Sequence, residues 1–168
     1  MLRTILALTA LLAASPAWAI DSDGTRPDPA LTPGEIRTTD KDEICGHRTG
    51  EFRDVSATTK IAARRAYGLM SPNAGWCAGT DSNGKQGCEE DHRVPLTVGG
   101  GNTPGSIRNI WPQRPDGPFG YHVKDRCEDR VGRDICTGKI SVADAQAVFL
   151  GDWRKNCRPW VPELPDVE

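Results

Sequence analysis

The stretch Glu89-Glu90-Asp91-His92-Arg93-Val94-Pro95-Leu96-Thr97-Val98-Gly99-Gly100-Gly101-Asn102 decides how this chain is read. Glu90-Asp91-His92 opens onto residues 93–98, whose Val, Leu and Thr suit a short extended strand. Three glycines and an asparagine then force a turn, since these residues tolerate the backbone angles of a tight reversal. A second extended run follows, Ile107-Arg108-Asn109-Ile110-Trp111. Beyond the Pro- and Gly-rich loop 112–120, Val123, Cys127 and Val131 recur at i, i+4 and i+8, which predicts a helix over 121–131. Strand, turn, strand and helix in this order make a compact β-β-α unit.

Two more helices flank the unit. Ser141 followed by Asp144 reads as a capping box, with Val142, Ala145, Phe149 and Trp153 on one face. Thr58 and Thr59 cap a helix whose apolar positions are Ile61, Ala62, Ala66 and Leu69, ending near Gly68, and residues 71–88 read as loop. Pro27, Pro29 and Pro33 make the early chain an extended leader rather than a packed element, and three prolines at every third position lay the tail over the surface. The expected fold class is therefore α+β, a small single domain with additional helices and long loops. Its divisions are a leader at 20–43, the domain at 44–158 and a Pro-rich acidic tail at 159–168.

The first 19 residues read as a removable export signal: Arg3, an apolar run from Ile5 to Ala14, then Ala17-Trp18-Ala19. The run is shorter than the ~20 residues a bilayer requires, so no membrane anchor is expected after processing. Without Arg3 the chain carries 20 Lys/Arg against 23 Asp/Glu, a net charge of −3, which does not advertise a polyanion binder. The acidic groups concentrate at the ends, however, and residues 44–160 hold 17 basic against 13 acidic side chains. That body permits local phosphate contact. Six cysteines with no C-x-x-C spacing, in an exported chain, point to three disulfides; 15 pairings are open, and the short Gly-rich interval favours Cys77–Cys88.

The ordered series Glu90-Asp91-His92-x-x-Pro95-Leu96-x-x-Gly99-Gly100, Asn109-Ile110-Trp111-Pro112-Gln113 and Lys124-Asp125-x-x-Glu128 resembles the HNH endonuclease superfamily. Within it the chain is similar to small exported bacterial proteins, and the likeness covers most of the mature chain. It includes Leu31-Thr32-Pro33-Gly34, Ile44-Cys45, Tyr67-Gly68, Ile135-Cys136-x-Gly138, Ala145-Gln146 and Asp152-Trp153.

The resemblance implies a ββα-metal core and metal-dependent cleavage of phosphodiester bonds in DNA, or RNA. It makes His92 the general base, since an imidazole with pKa near ~6.5 accepts and returns a proton at neutral pH. Asp91 would be a hard oxygen ligand to Mg²⁺ or Mn²⁺, with Zn²⁺ the alternative. Asn109, grouped with His92, would fix the loop or orient the imidazole. His122 would complete the metal site, with Asp125 as substitute because members of the exported group often lack a histidine there. Arg93, Arg108 and Lys124, then Arg114 and Arg126, are candidates for holding phosphates. Lys124 and Glu128, one helical turn apart, also suit a plain surface pair, and His47 beside Cys45 reads as structural.

The expectation is thus a periplasmic or secreted nuclease, monomeric, with nucleic acid as its partner; nothing points to a protein partner. The alternatives are an HNH scaffold that binds without turnover, and a disulfide-stabilised envelope interaction protein.

Overall fold

A computed structural model describes residues 22–167, so the expected export signal lies outside the described residues. The chain is a small mixed α+β fold. Among the described residues it has helices α1 (Lys41–Gly46), α2 (Ala57–Ala66), α3 (Tyr121–Cys136), α4 (Val142–Leu150) and α5 (Trp153–Asn156), with strands β1 (Glu89–His92) and β2 (Ile110–Gln113). The strands pair antiparallel, with Glu89 opposite Gln113 and His92 opposite Ile110.

The hairpin exists, but it lies elsewhere than the apolar run suggests. Expected over 93–98, the first strand instead ends at His92, and Leu96–Val98 forms a 3₁₀ turn. Pro95 has no N–H for a ladder, and its carbonyl accepts from Val98 N at 3.1 Å and Gly100 N at 2.9 Å, curling the chain back. Gly99 at φ 88° completes the reversal, and a Cβ on Gly100 would stand 1.9 Å from the Val94 carbonyl oxygen. The second strand, expected at 107–111, runs over Ile110–Gln113 as the register of β1 demands.

Side-chain caps mark the starts of α1, α2, α4 and α5, while α3 begins behind Gly120 without one. Ser141 accepts from Asp144 N at 3.1 Å, as its spacing foretold. At α2 the cap is Ser56 rather than Thr58 or Thr59, accepting from Thr59 N at 3.1 Å. Asp40 caps the unforeseen α1, and Trp153, expected on the face of α4, begins α5 behind its own Asp152 cap. The loop at 71–88 contains a 3₁₀ turn at Gly75–Ala78 and a bridge between Thr80 and Gln86.

Two apolar clusters hold these elements. One gathers Val131, Ile135, Phe149 and Trp153 from α3, α4 and α5 around Val94 and Val98; the other joins Tyr67, Leu69, Cys77, Cys88 and Trp111. Cys88 just before β1 belongs to the second cluster and Val94 just after it to the first, so the strand bridges both. Three disulfides staple the fold: Cys45–Cys136, Cys77–Cys88 as expected, and Cys127–Cys157. Such bonds persist in oxidising compartments, which suits an extracellular or periplasmic location. No helix among the described residues is long and apolar enough to cross a membrane.

The leader and tail run through bends and turns rather than as single extended stretches, and the expectation that the leader is not packed is corrected. Trp153 Nε1 donates to Thr25 O at 2.8 Å, Tyr67 OH lies 2.9 Å from Thr32 Oγ1, and Ile36 bridges Gly100. In the tail, Val161 and Leu164 are buried in the first cluster. Proline sets an extended backbone but says nothing of what its neighbours cover.

Candidate functional site

β1 delivers Asp91 and His92 side by side, and β2 with α3 surrounds them. His92 is 7% exposed, and its Nε2 has no hydrogen-bond partner among the described residues. Burial pushes the imidazole pKa below its ordinary value; the Asp91 charge and a hydrogen bond with Asn102 oppose this, and the Lys124 charge reinforces it. The ring is therefore biased to the neutral form that accepts a proton.

Asn109 staples the turn after His92. Its Oδ1 accepts from Val94 N at 2.8 Å, and its Nδ2 donates to Val94 O and Gly101 O, each at 2.9 Å. The loop-fixing role is the one the geometry gives it. These three bonds reach main chain on both sides of the reversal and none goes to the imidazole, so Asn109 is a positioning residue.

Lys124 stands differently from its expected place at a phosphate or in a surface pair. It is wholly buried on α3, where Nζ donates to Asp91 Oδ2 at 2.7 Å, to His92 O at 2.7 Å and to Glu128 Oε1. Burial alone would lower this amine, but the two carboxylates more than reverse it and hold it above the ordinary lysine range. Lys124 thereby fixes both the side chain of Asp91 and the main chain of His92. Asp91 Oδ1 accepts from His92 N at 2.7 Å, and each carboxylate oxygen keeps a further lone pair.

A small cleft of about 40 Å³ beside His92 is lined by Glu89, Asp91, Asp125 and Glu128, with Arg53 at its edge. Burial, then the Asp91 charge, push Asp125 up to about 6. Burial likewise pushes Glu128 up, against the Lys124 ammonium. Carboxylates crowded this way favour an added cation. Asp91 and Asp125 could supply oxygens to one that retains most of its water. Among the described residues no three His, Cys, Asp or Glu side chains form a group that could hold a metal on its own, and no cysteine is free.

His122 is not brought to this cleft. Its Nε2 lies 2.9 Å from Asp81 Oδ2, in a separate cavity with Thr80, Pro115 and Asp116, and its Nδ1 lies 3.4 Å from Asp125 Oδ2. It touches the site only through Asp125. Arg93 is also turned inward, donating to Thr32 O at 2.7 Å and to Leu150 O. Arg108 is exposed before β2 and lines none of the cavities described here. Arg114 pairs with Asp116 and Arg126 with Glu163 at 2.8 Å. His47 pairs with Glu51 at 2.9 Å, in keeping with a structural part.

No family model, curated protein or solved structure matches this chain.

Sequence reasoning missed the burial of Lys124, for which a signal existed: Tyr121, Lys124, Cys127, Val131 and Ile135 share the buried face of α3. It also missed a groove of about 560 Å³ that opens beside His92.

Proposed function

We propose that this protein is an exported metal-dependent endonuclease of the HNH type, with His92 as general base. The observation that carries the reading is the buried imidazole, whose Nε2 lacks a protein partner, beside Asp91 at the mouth of a groove. A neutral His92 takes a proton from water at Nε2 as the oxygen attacks phosphorus, and returns it to the departing oxygen. Lys124 holds the main chain of His92, and Asn109 holds the turn that follows it. A divalent cation bound by Asp91 and Asp125, when present, supplies charge to offset the negative charge that develops on the phosphate. This sparse oxygen set suits Mg²⁺ or Mn²⁺, which keep water and take one or two carboxylates, better than the closed N/S cage of structural zinc.

The test is incubation of oxidised mature protein with supercoiled plasmid and with single-stranded RNA, under Mg²⁺, Mn²⁺, Zn²⁺ or chelator, beside His92→Ala. Cleavage that requires metal and vanishes in the variant is the expected result. Cleavage that survives His92→Ala, or none under any metal, refutes the reading. One observation favours a second reading, a scaffold that binds without turnover: the Lys124 ammonium already neutralises Asp91. On that reading the protein binds nucleic acid with or without metal and never cuts it.

A further inference from the structure

We infer that Arg53, Lys60 and Lys85 form the phosphate-binding wall of the groove beside His92, and that the groove holds a nucleic-acid backbone without regard to base sequence. This rests on the nuclease reading and names the path its substrate takes. The three cations come from separate parts of the chain: Arg53 from the irregular stretch before α2, Lys60 from α2 itself, and Lys85 from the loop closed by Cys77–Cys88.

The charge balance of the groove favours an anion. Its floor is β1, with Glu89, Glu90 and Asp91, yet two of these carboxylates have internal partners: Arg64 pairs with Glu90, and Lys124 with Asp91. Arg53, Lys60 and Lys85 take part in no ion pair among the described residues; Lys85 lies 5.7 Å over the Tyr121 ring, and Arg53 and Lys85 are exposed. The Lys60 charge also acts on Glu90 alongside Arg64, so Arg53 and Lys85 are the groove cations with no acidic partner among the described residues, facing a floor whose remaining charge is Glu89. Arg53 also lines the small acidic cleft, so it is the groove cation that reaches the neighbourhood of His92.

The same wall decides what is read. Neither Trp, Tyr nor Phe lines the groove, so it offers no stacking platform of the kind that grips unstacked bases. Lysine and arginine on phosphates position a strand and carry no base information. The arginines and lysine that the sequence singled out for this task are turned inward, paired with acids or away from the groove.

The experiment measures binding apart from cleavage, by fluorescence anisotropy of labelled oligonucleotides of contrasting base composition, in chelator, over a salt series. Wild type is compared with Arg53→Glu, Lys60→Glu, Lys85→Glu and, outside the groove, Arg108→Glu, each checked for native circular dichroism and intact disulfides. The expected result is several-fold weaker binding for each groove variant on every sequence, a salt slope smaller by about 1 per lost phosphate contact, and wild-type binding by Arg108→Glu. Groove variants that bind like wild type overturn the inference, as does wild-type affinity that follows base composition or is too weak to detect at low salt. Metal-dependent cleavage that persists while the groove variants bind normally overturns the inference alone. Absent cleavage with the expected binding map overturns only the nuclease reading.

Discussion

Replacing Lys124 by methionine keeps the volume of the side chain and removes its charge. Three acceptors then lose their donor: Asp91 Oδ2 and His92 O, each at 2.7 Å, and Glu128 Oε1. The Asp91 and Glu128 side chains are only 13% and 14% exposed, so water cannot fully replace the ammonium. Breaking a buried pair by removing one partner costs about 3–5 kcal/mol. For a domain of this size that corresponds to a fall in Tm of about 6–20 °C. The loss must also depend on pH. Burial pushes Glu128 up and Lys124 is the influence holding it down, so in Lys124→Met the folded protein binds a proton more readily than the unfolded chain. A carboxyl raised in this way adds stability at low pH and loses it as pH rises through its folded value. The deficit should therefore be smaller near pH ~5 than near pH ~8. Calorimetric melts of oxidised wild type and variant at both pH values measure it. A loss under about 1 kcal/mol, or one independent of pH, would refute the claim that Lys124 is the internal counter-ion of the site.

Cleavage should rise with pH and reach half its maximum below about 6.5, the ordinary histidine value, because burial lowers His92 and Asp125 ionises at about 6; a pH profile of kcat/KM centred above about 7 contradicts this. Removing the disulfides in pairs should cost most for Cys45–Cys136, whose sequence separation is 91, and least for Cys77–Cys88, separated by 11. Chain entropy gives about 4.6 and about 2.8 kcal/mol respectively. Thermal melts of the double Cys→Ala variants should keep that order, and a larger loss for Cys77–Cys88 would reverse it.

Much of this was legible in the chain. Cap and apolar spacing located α3 and α4, and the interval between Cys77 and Cys88 predicted their bond. β1 escaped because Glu89-Glu90-Asp91-His92 is polar throughout and carries no alternation, while the apolar residues after it are bent by Pro95 and Gly99. The leader escaped because its anchors, Thr25 to Trp153 and Thr32 to Tyr67, join residues distant in sequence. The site divides in the same way. Asp91, His92 and Asn109 were named through the resemblance of an ordered motif series, whereas the groove cations come from three segments that only folding assembles. Lysine is so rarely buried unpaired that composition alone argues against Lys124 inside, until its two carboxylates are counted.

If the chain enters an oxidising compartment amino end first, as the proposed export requires, the bridge pattern sets a problem of timing. Cys45 arrives before any other cysteine and meets Cys77 next, yet its partner is Cys136, and Cys77 belongs with Cys88. Thiols that paired in order of arrival would join 45 to 77, 88 to 127 and 136 to 157, and every one of those bonds is wrong. Maturation therefore requires either that Cys45 stay reduced until α3 has emerged or that early bonds be exchanged by attack of a later thiolate. Export in quantity would therefore call for a disulfide-shuffling activity as well as an oxidant.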